Sequence, residues 1–573
     1  MRSKRVPLPP APTLPSDPLR WGDGTETYPS EAIHAIEEYF ERELGPATRP
    51  RGSPQERPEA AGPSRLTAAD LAGLRTRVSG KVSTGERDRV CYSFGRSYED
   101  LIAWRDLRAV PTTDAVVWPA SAIELQAVLA FASENDLAVV PWGGGTSLAG
   151  GVAPLPGSHR AVLTVCLGRL NQPLGIDPGT DSARFEAGAH GPDIERYLRE
   201  RGVTFGHYPL SYEFSTLGGW ISTASSSQSS SRYGEILDRI TFARWATPTG
   251  FLEWRCGAPT PHGIEPRLLL ASEGTLGVLV EAGFRLAPSP DKSIVRAVLL
   301  PSWESGLGVL RALVADDPRP AIARFSDPDE SRFLLTLARG GSPPEEIRGL
   351  EGIAIRRKIA DLTRIVLGLV SFDGTKKETG RGLYVLEELT KQAGGALLPG
   401  GVWPGFGDAW EKTRFRAPAL RDGLIPHGWV LEGIDAVVPW ERALELGDHV
   451  REAVRSAAAL FDARSRVHAQ AGHPTSTTVG ITYSLIYPEP PGRAIEAWRA
   501  IRGAATAAML ERGALLPRWP GIGSIERPGL DAMLSSTDRD AIRSLKVEID
   551  PRGVLNPGKV FLTGGAQPLA TRQ

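Results

Sequence analysis

The sequence predicts a two-domain α+β chain, and three observations carry that expectation. At 573 residues the chain is several times longer than one ordinary domain of ~150 residues. Its composition, 41% hydrophobic and 23% charged, is that of a globular protein and not of a disordered or fibrous one. From Asp114 onward, short strand-like and helix-like patterns mix, and the rhythm restarts after the proline-rich "LAPSPDKS" near residue 290.

The elements follow in order. Residues 1–66 read as a Pro/Arg-rich flexible extension with one helical patch, "SEAIHAIEEYFEREL", and a tether, "GPATRPRGSPQERPEAAGPS". Prolines interrupt the basic start "MRSKRVPLPPAPTLPSDP" where a signal peptide needs its apolar core. Residues 67–111 form a helical part packing on the domain after it. In that domain, 112–290, "DAVVWPAS" is a strand, "AIELQAVLAFASEND" an amphipathic helix and "LAVVPW" a second strand, which runs straight into "GGGTSLAGGV". "AVLTVCL", "ARFEAGAH" and "ITFARWATPTG" add strands, and "GPDIERYLRERG" is a helix opened by Gly-Pro. "IVRAVLLPSWESGLGVLRALVADD" opens a second domain, 291–515. The segment 516–573 contains "SLKVEIDPRGVLNPGKVF", whose Asp-Pro-x-Gly and Asn-Pro-Gly turns suit a rigid loop against a larger body.

Charge and cysteine content narrow the function. Lys+Arg 66 against Asp+Glu 67 leaves a net charge of -1, so no overall field attracts nucleic acid. Cys91, Cys166 and Cys256 lack any CxxC spacing, which argues against a zinc site or disulfide framework and fits a reducing cytoplasm. No run of about 18 apolar residues predicts a transmembrane helix, and no metal site is expected.

The glycine-rich stretch at 139–152 admits several readings. A Walker A loop needs a lysine that this loop does not contain. A Rossmann fingerprint needs a third glycine and a following helix, but position 148 is Leu148 and Pro154 interrupts. What remains is an anion-binding nest of backbone N–H groups, aided by the Thr146 and Ser147 hydroxyls, or a tight turn without a ligand.

The neighbours of this loop carry a family resemblance. "DAVVWPASAIELQAVLAFASENDLAVVPWGGGTSLAGG" resembles the first half of the FAD-binding domain of the vanillyl-alcohol oxidase/p-cresol methylhydroxylase superfamily, and "SEGTLGVLVEAGFRL" at 272–286 its closing segment. Between them, "GHYPLSYEFSTLGGWISTASSSQSSSRYGEI" is similar to alkyl-dihydroxyacetone-phosphate synthases. "CYSFGRSYEDLIAWR", "RFRAPALRDGL" and "DPRGVLNPGK" extend the likeness over roughly residues 90–561.

The resemblance implies a PCMH-type FAD domain, an α/β cap or substrate domain, and a C-terminal segment returning to the flavin. It places the FAD pyrophosphate at Pro141, Gly143, Gly144, Gly145, Thr146 and Ser147. Ser211, Ser215, Thr216, Gly219, Thr223, Ser225 and Ser226 would line the flavin, as would Glu273, Gly274, Thr275, Gly277 and Val278. Ala224 stands where the family usually carries arginine. The glycine loop has no cysteine or histidine for covalent attachment, and His207 matches a histidine of non-covalent synthases, so the expected cofactor is non-covalent FAD.

The catalytic part of the resemblance is incomplete. The synthases exchange an acyl for an alkyl group through a flavin N5 adduct, with protons moved by a histidine cluster and a tyrosine. Here Arg518, Trp519 and Pro520 stand at the histidines, and none of the three titrates near neutral pH. Gly521 and Gly523 still fit. Thr482 stands at the tyrosine, with Tyr483 one residue away. Arg421 matches the arginine that contacts substrate phosphate, or else forms a salt bridge with Asp422 or Glu432. His468 and His473 lack the metal-ligand spacing of related hydroxyacid dehydrogenases. The catalytic candidates are therefore Arg421, Tyr483, His468, Arg518 and Trp519, the last as a wall for an apolar substrate. The leading expectation is an FAD-dependent oxidoreductase passing a hydride from a small-molecule, anionic substrate to flavin N5. An ether-lipid synthase with altered proton shuttles, Tyr483 and His468, is the alternative, and a non-catalytic flavin-binding partner protein a third. Homodimerisation is left open.

Overall fold

The computed structural model describes residues 29–48, 58–258, 266–315, 317–338, 359, 361–398, 414–516 and 521–561. The tether and the Arg518–Trp519–Pro520 stretch singled out above lie wholly or partly outside them.

Two sheets build the first half. In one, Val82–Ser83, Ala115–Val117, Ala161–Cys166 and Leu137–Trp142 lie side by side in that order, the last three parallel. Parallel strands are covered on both faces, and Ala161–Cys166 is buried at every position. Parallel pairing demands a crossover, here the helix Ala122–Glu134, whose first turn is capped by the Ser121 hydroxyl accepting from the Glu124 N–H. The second sheet is antiparallel, in the order Pro173–Asp177, Ser182–Glu186, Val278–Arg285, Ile240–Thr247 and Gly250–Arg255.

The far end of the chain completes both layers. Leu555 bridges Val139 in parallel, the Val139 N–H donates to the Val554 carbonyl, and the Asn556 N–H donates back to Val139. Val554 and Leu555 join the core of the first sheet, while Ile522, Leu530, Ile542, Ile549, Val560 and Phe561 join that of the second. The buried Lys546 ammonium donates to the carbonyls of Thr275 and Leu555 and to Asp550. Three partners are what such a buried charge requires.

The second half is a seven-stranded antiparallel sheet among the described residues. Its order is Ala396–Leu397, Lys292–Leu300, Val366–Gly374, Ile322–Ser326, Arg466–Gly472, Thr478–Pro488 and Trp429–Pro439. Apolar residues of the helices Trp303–Leu313, Lys376–Gln392, Ala443–Ala459 and Ala494–Glu511 pack on one face, with Val298, Phe325, Val370, Ile434 and Tyr483. On the other face the helix Ser30–Leu44 docks its Ile33, Ile36, Phe40 and Leu44 stripe against Phe333, Leu424, Trp429 and Ile486. That spacing of three and four is the apolar face of a helix. Elsewhere on this face Ala297, Leu299, Leu367 and Leu369 pack with Leu335, Leu362 and Leu398, while Gly433, Asp435, Thr482 and Ser484 look toward the first half.

Candidate active site

Where the halves meet there is a cavity of ≈ 420 Å³, within the ~300–1,000 Å³ typical of small-molecule sites. One wall is the glycine loop. A Cβ on Gly143 would stand 2.5 Å from the Thr216 hydroxyl, one on Gly144 2.0 Å from the Phe214 carbonyl oxygen, and one on Gly145 2.4 Å from the Trp142 ring. Gly143 and Gly144 are therefore fixed by the close approach of residues 214–216, and Gly145 by the Trp142 ring. Gly145 also needs glycine for its φ of +68°. Among the described residues, the N–H groups of Gly143 through Ser147 donate to no protein acceptor. Successive N–H groups left open on a cavity form a cradle for an anion.

A second wall is the segment 209–228. Thr216 caps the short helix Leu217–Ser222, its hydroxyl accepting from the Gly219 N–H. Ser215 accepts from the Trp220 indole at 2.6 Å. The serine run folds inward and is not a loose loop: Ser227 accepts from the N–H groups of Tyr208 and Ser229. Ser226 and His473 both line the cavity and meet at 2.9 Å, Ser226 Oγ to His473 Nδ1, with Glu235 3.4 Å from the same hydroxyl. Burial, with Arg324 nearby, pushes His473 down to about 4, so it is neutral near pH 7; burial pushes Glu235 up to about 7.

Glu273 forms part of a third wall, but its carboxylate is already engaged. It accepts from the N–H groups of Ile522 and Gly523, and Asn556 donates to its backbone carbonyl. Glu273 thus fastens the returning C-terminal segment beside the cavity.

The fourth wall is the second-half sheet, where Gly433 faces Ser484 and Asp435 faces Thr482 across neighbouring strands. Thr482 donates to Asp435 Oδ1 at 2.5 Å. Burial pushes Asp435 up to about 6, more than the Thr482 hydrogen bond lowers it. Arg421 lines the same cavity, and its Nε and Nη2 reach Asp422 at 2.8 and 2.6 Å. Burial opposes its charge, while Asp422 and Glu432 more than offset that and hold its pKa above the ordinary value.

Residues 113–254 match the FAD binding domain family, and residues 289–560 match the C-terminal domain of FAD linked oxidases. The chain belongs to the FAD-linked oxidases. The alkyldihydroxyacetonephosphate synthase of Dictyostelium discoideum is 27% identical over 479 residues, 83% of this chain and 77% of that protein. Glycolate oxidase subunit GlcD of Bacillus subtilis (strain 168) is 26% identical over 456 residues, 78% of this chain and 89% of that one. A solved alkyldihydroxyacetonephosphate synthase shares the fold with a TM-score of 0.74 at 23% identity, covering 92% of both chains. The 4-ethylphenol oxidase of Gulosibacter chungangensis does so at 0.64 and 14%, covering 88% of this chain and 99% of that one.

FAD is the cofactor of this FAD-linked oxidase, and the residues present fit it. The open N–H cradle suits a diphosphate, whose charge is spread over several oxygens, and the adjoining cavity is walled by Leu167, Leu210, Trp220 and Leu279. Of the residues expected at the flavin, Pro141, Gly143 to Ser147, Ser211, Ser215, Thr216, Gly219, Thr223, Ser225, Ser226, Glu273, Gly274 and Val278 line the cavity. Thr275 and Gly277 stand behind it. The Thr275 hydroxyl donates to the Ser272 carbonyl, and Gly277 packs against Trp245.

Among the catalytic candidates, only Arg421 faces this cavity within the described residues. It forms the expected salt bridge with Asp422 while lining the cavity. Tyr483 is fully buried, packs among the apolar residues of the opposite sheet face and has no hydrogen-bond partner for its hydroxyl among the described residues. Side chains alternate along a strand, so Thr482 and Ser484 take the cavity side and Tyr483 cannot. His468 is across from Ser484 but sits outside the cavity, its ring tilted against Phe333 and walled by Tyr39, Phe40 and Arg466. Burial pushes it down to about 3. Arg518 and Trp519 lie outside the described residues. His207 is buried between Phe205 and Trp220.

Sequence reasoning passed over Asp435 and preferred His468 to His473. A signal for Asp435 was present: in "LEGIDAVV" an aspartate interrupts an apolar strand, where aspartate is depleted unless a specific partner or role holds it.

Proposed function

We propose that this FAD-linked oxidase is an FAD-dependent oxidoreductase acting on a small organic anion that bears an oxidisable C–H bond. The observation that supports the reading is Arg421, a guanidinium kept charged at the wall of the cavity that the N–H cradle adjoins. A planar guanidinium suits a carboxylate or phosphate, and its engagement with Asp422 fixes its orientation before substrate arrives. Bound FAD supplies the two-electron acceptor. The chain seats the pyrophosphate on Gly143 to Ser147, holds the substrate anion on Arg421 and excludes water with the apolar walls. The relatives named for oxidation of glycolate, D-lactate and D-2-hydroxyglutarate favour a 2-hydroxy acid.

We further propose that FAD is held without a covalent bond, since the glycine loop offers no thiol or imidazole. Acid precipitation should release all the flavin into the supernatant. A reducing, cytoplasmic compartment suits three cysteines that form no disulfide.

Anaerobic mixing with glycolate, D-lactate and D-2-hydroxyglutarate tests the oxidation reading: persistent bleaching of the flavin supports it. The 27% identity to a synthase favours a second reading, redox-neutral alkyl exchange. Ether product formed from an acyl-dihydroxyacetone phosphate and a fatty alcohol, without net flavin reduction, would establish that reading instead.

A further inference from the structure

We propose that Asp435, held by Thr482, is the proton acceptor of this cavity and takes the hydroxyl proton of the substrate during oxidation. The inference rests on the oxidation reading above and names the residue that reading lacks.

The geometry carries it. Asp435 and Thr482 are directly opposed on neighbouring strands, and both line the cavity. The Thr482 hydroxyl fixes Oδ1, which fixes the plane of the carboxyl group. Oδ2 has no hydrogen-bond partner among the described residues, on a strand face that opens into the cavity. The other candidate acceptors are engaged elsewhere or turned away; Glu235 is not part of the cavity lining and reaches it only through the Ser226 hydroxyl at 3.4 Å. Glu432 and Glu526 share the Arg502 guanidinium, at 2.7 and 2.5 Å. The Glu273 carboxylate holds the N–H groups of Ile522 and Gly523. His473 Nδ1 is bonded to Ser226, and Tyr483 and His468 lie outside the cavity.

The surrounding charges keep Asp435 from forming an ion pair. From the helix Ala494–Glu511 comes Arg502, already bound to two carboxylates. Glu526 of the C-terminal segment and Glu432 of its own strand are its acidic neighbours. Arg421 and Asp422, from the helix Ala417–Leu424, neutralise each other, and His473 from the end of Arg466–Gly472 is neutral. A half-buried aspartate without an ion pair costs some stability, and asparagine would fill the same space without that cost. Burial in turn makes its carboxylate a stronger base than an exposed one, which suits proton abstraction near neutral pH.

The step balances. The substrate O–H bond breaks and its proton goes to Asp435 Oδ2. The bonding pair left on oxygen becomes the second C–O bond of the product carbonyl. The hydrogen on carbon leaves with its two electrons as hydride to the flavin oxidant, which is reduced.

The test uses the flavin-loaded protein with Asp435→Asn, Thr482→Val and Thr482→Ser variants. In infrared difference spectra of protein labelled with ¹³C-aspartate, the wild type should show, beside the band of Asp327, whose burial pushes it up to about 7, a protonated-carboxyl band that disappears as pH rises through about 6. Asp435→Asn should lack it, and Thr482→Val, having lost a bond that favours the charged form, should move its midpoint upward; Thr482→Ser should restore it. With the three hydroxy acids, anaerobic bleaching should rise with pH through the same midpoint and fall ~10²–10⁴-fold in Asp435→Asn at unchanged flavin content. Absence of a band removed by Asp435→Asn overturns the proposal, as does bleaching in that variant within threefold of wild type. If no hydroxy acid bleaches the flavin, the oxidation reading falls by itself, and the infrared titration still decides whether Asp435 is the cavity's titrating group.

Discussion

The glycine-loop wall and the sheet wall of the cavity are built on opposite principles. The first is backbone: open N–H groups, glycines fixed by contact with residues 214–216 and Trp142, and no charged side chain. The second is side chain: Arg421, Asp435 and Thr482 on strands and a helix whose positions depend on long-range pairing. A backbone wall can hold a ligand common to a whole family while tolerating drift elsewhere. A side-chain wall changes chemistry with one substitution, and this comparison can be broken or sharpened at several points.

The largest effect is expected at the backbone wall. Gly144→Val should strip the protein of flavin, lowering the flavin-to-protein absorbance ratio at least tenfold, because the new Cβ would overlap a carbonyl oxygen that cannot swing aside. A fully yellow Gly144→Val protein would break the account of this wall. On the sheet wall, Arg421→Met should raise KM for an anionic substrate ~10–100-fold, the worth of ~1.5–3 kcal/mol for a charged hydrogen bond, in steady-state assays. Glu273→Gln should loosen the C-terminal fastening by ~1–3 kcal/mol, read as a lower Tm with residues 522–526 more open to hydrogen exchange.

A smaller effect has a definite sign. Asp435 is pushed up to about 6 from an ordinary carboxylate value of 3.8. As pH rises from about 4 to 6 the unfolded chain loses this proton before the folded one does, so the wild type loses stability across that window. Asp435→Asn lacks this loss, and its Tm relative to wild type should be higher at pH 7.5 than at pH 4.5. The smallest effect belongs to Tyr483→Phe. Its hydroxyl is buried without a partner among the described residues, so removal should leave kcat within about twofold and stability unchanged or improved.

The two walls were unequally legible in the sequence. "GGGTS" declares itself because a residue without a side chain is demanded locally, and the same holds for Thr216, which begins a helix as its cap. Asp435 and Tyr483 show the limit. Alternation assigns Asp435 and Gly433 to one side of their strand, but which side meets a cavity depends on a sheet assembled from strands far apart in the chain. Titrating chemistry pointed to Tyr483, while strand parity gave the cavity to Thr482. His468 has the right parity with Ser484, yet its neighbourhood is filled by Phe333 and by Tyr39 and Phe40, which lie more than 400 residues earlier. No local pattern encodes that cover.

The bridge between Val139 and Leu555, with Lys546 and the apolar residues from Ile522 to Phe561, also sets an order of events during synthesis. The flavin-binding half is translated first but lacks part of its core until residues 522–561 have emerged. The second half, inserted between the two pieces, has most of its own core available earlier. Domains fold as units once their chain is present. The later-made half can therefore fold while the earlier-made half still waits, and FAD capture is expected only once residues 522–561 have emerged. Nascent chains arrested before residue 521 should not retain flavin, however long the first half has been outside the ribosome.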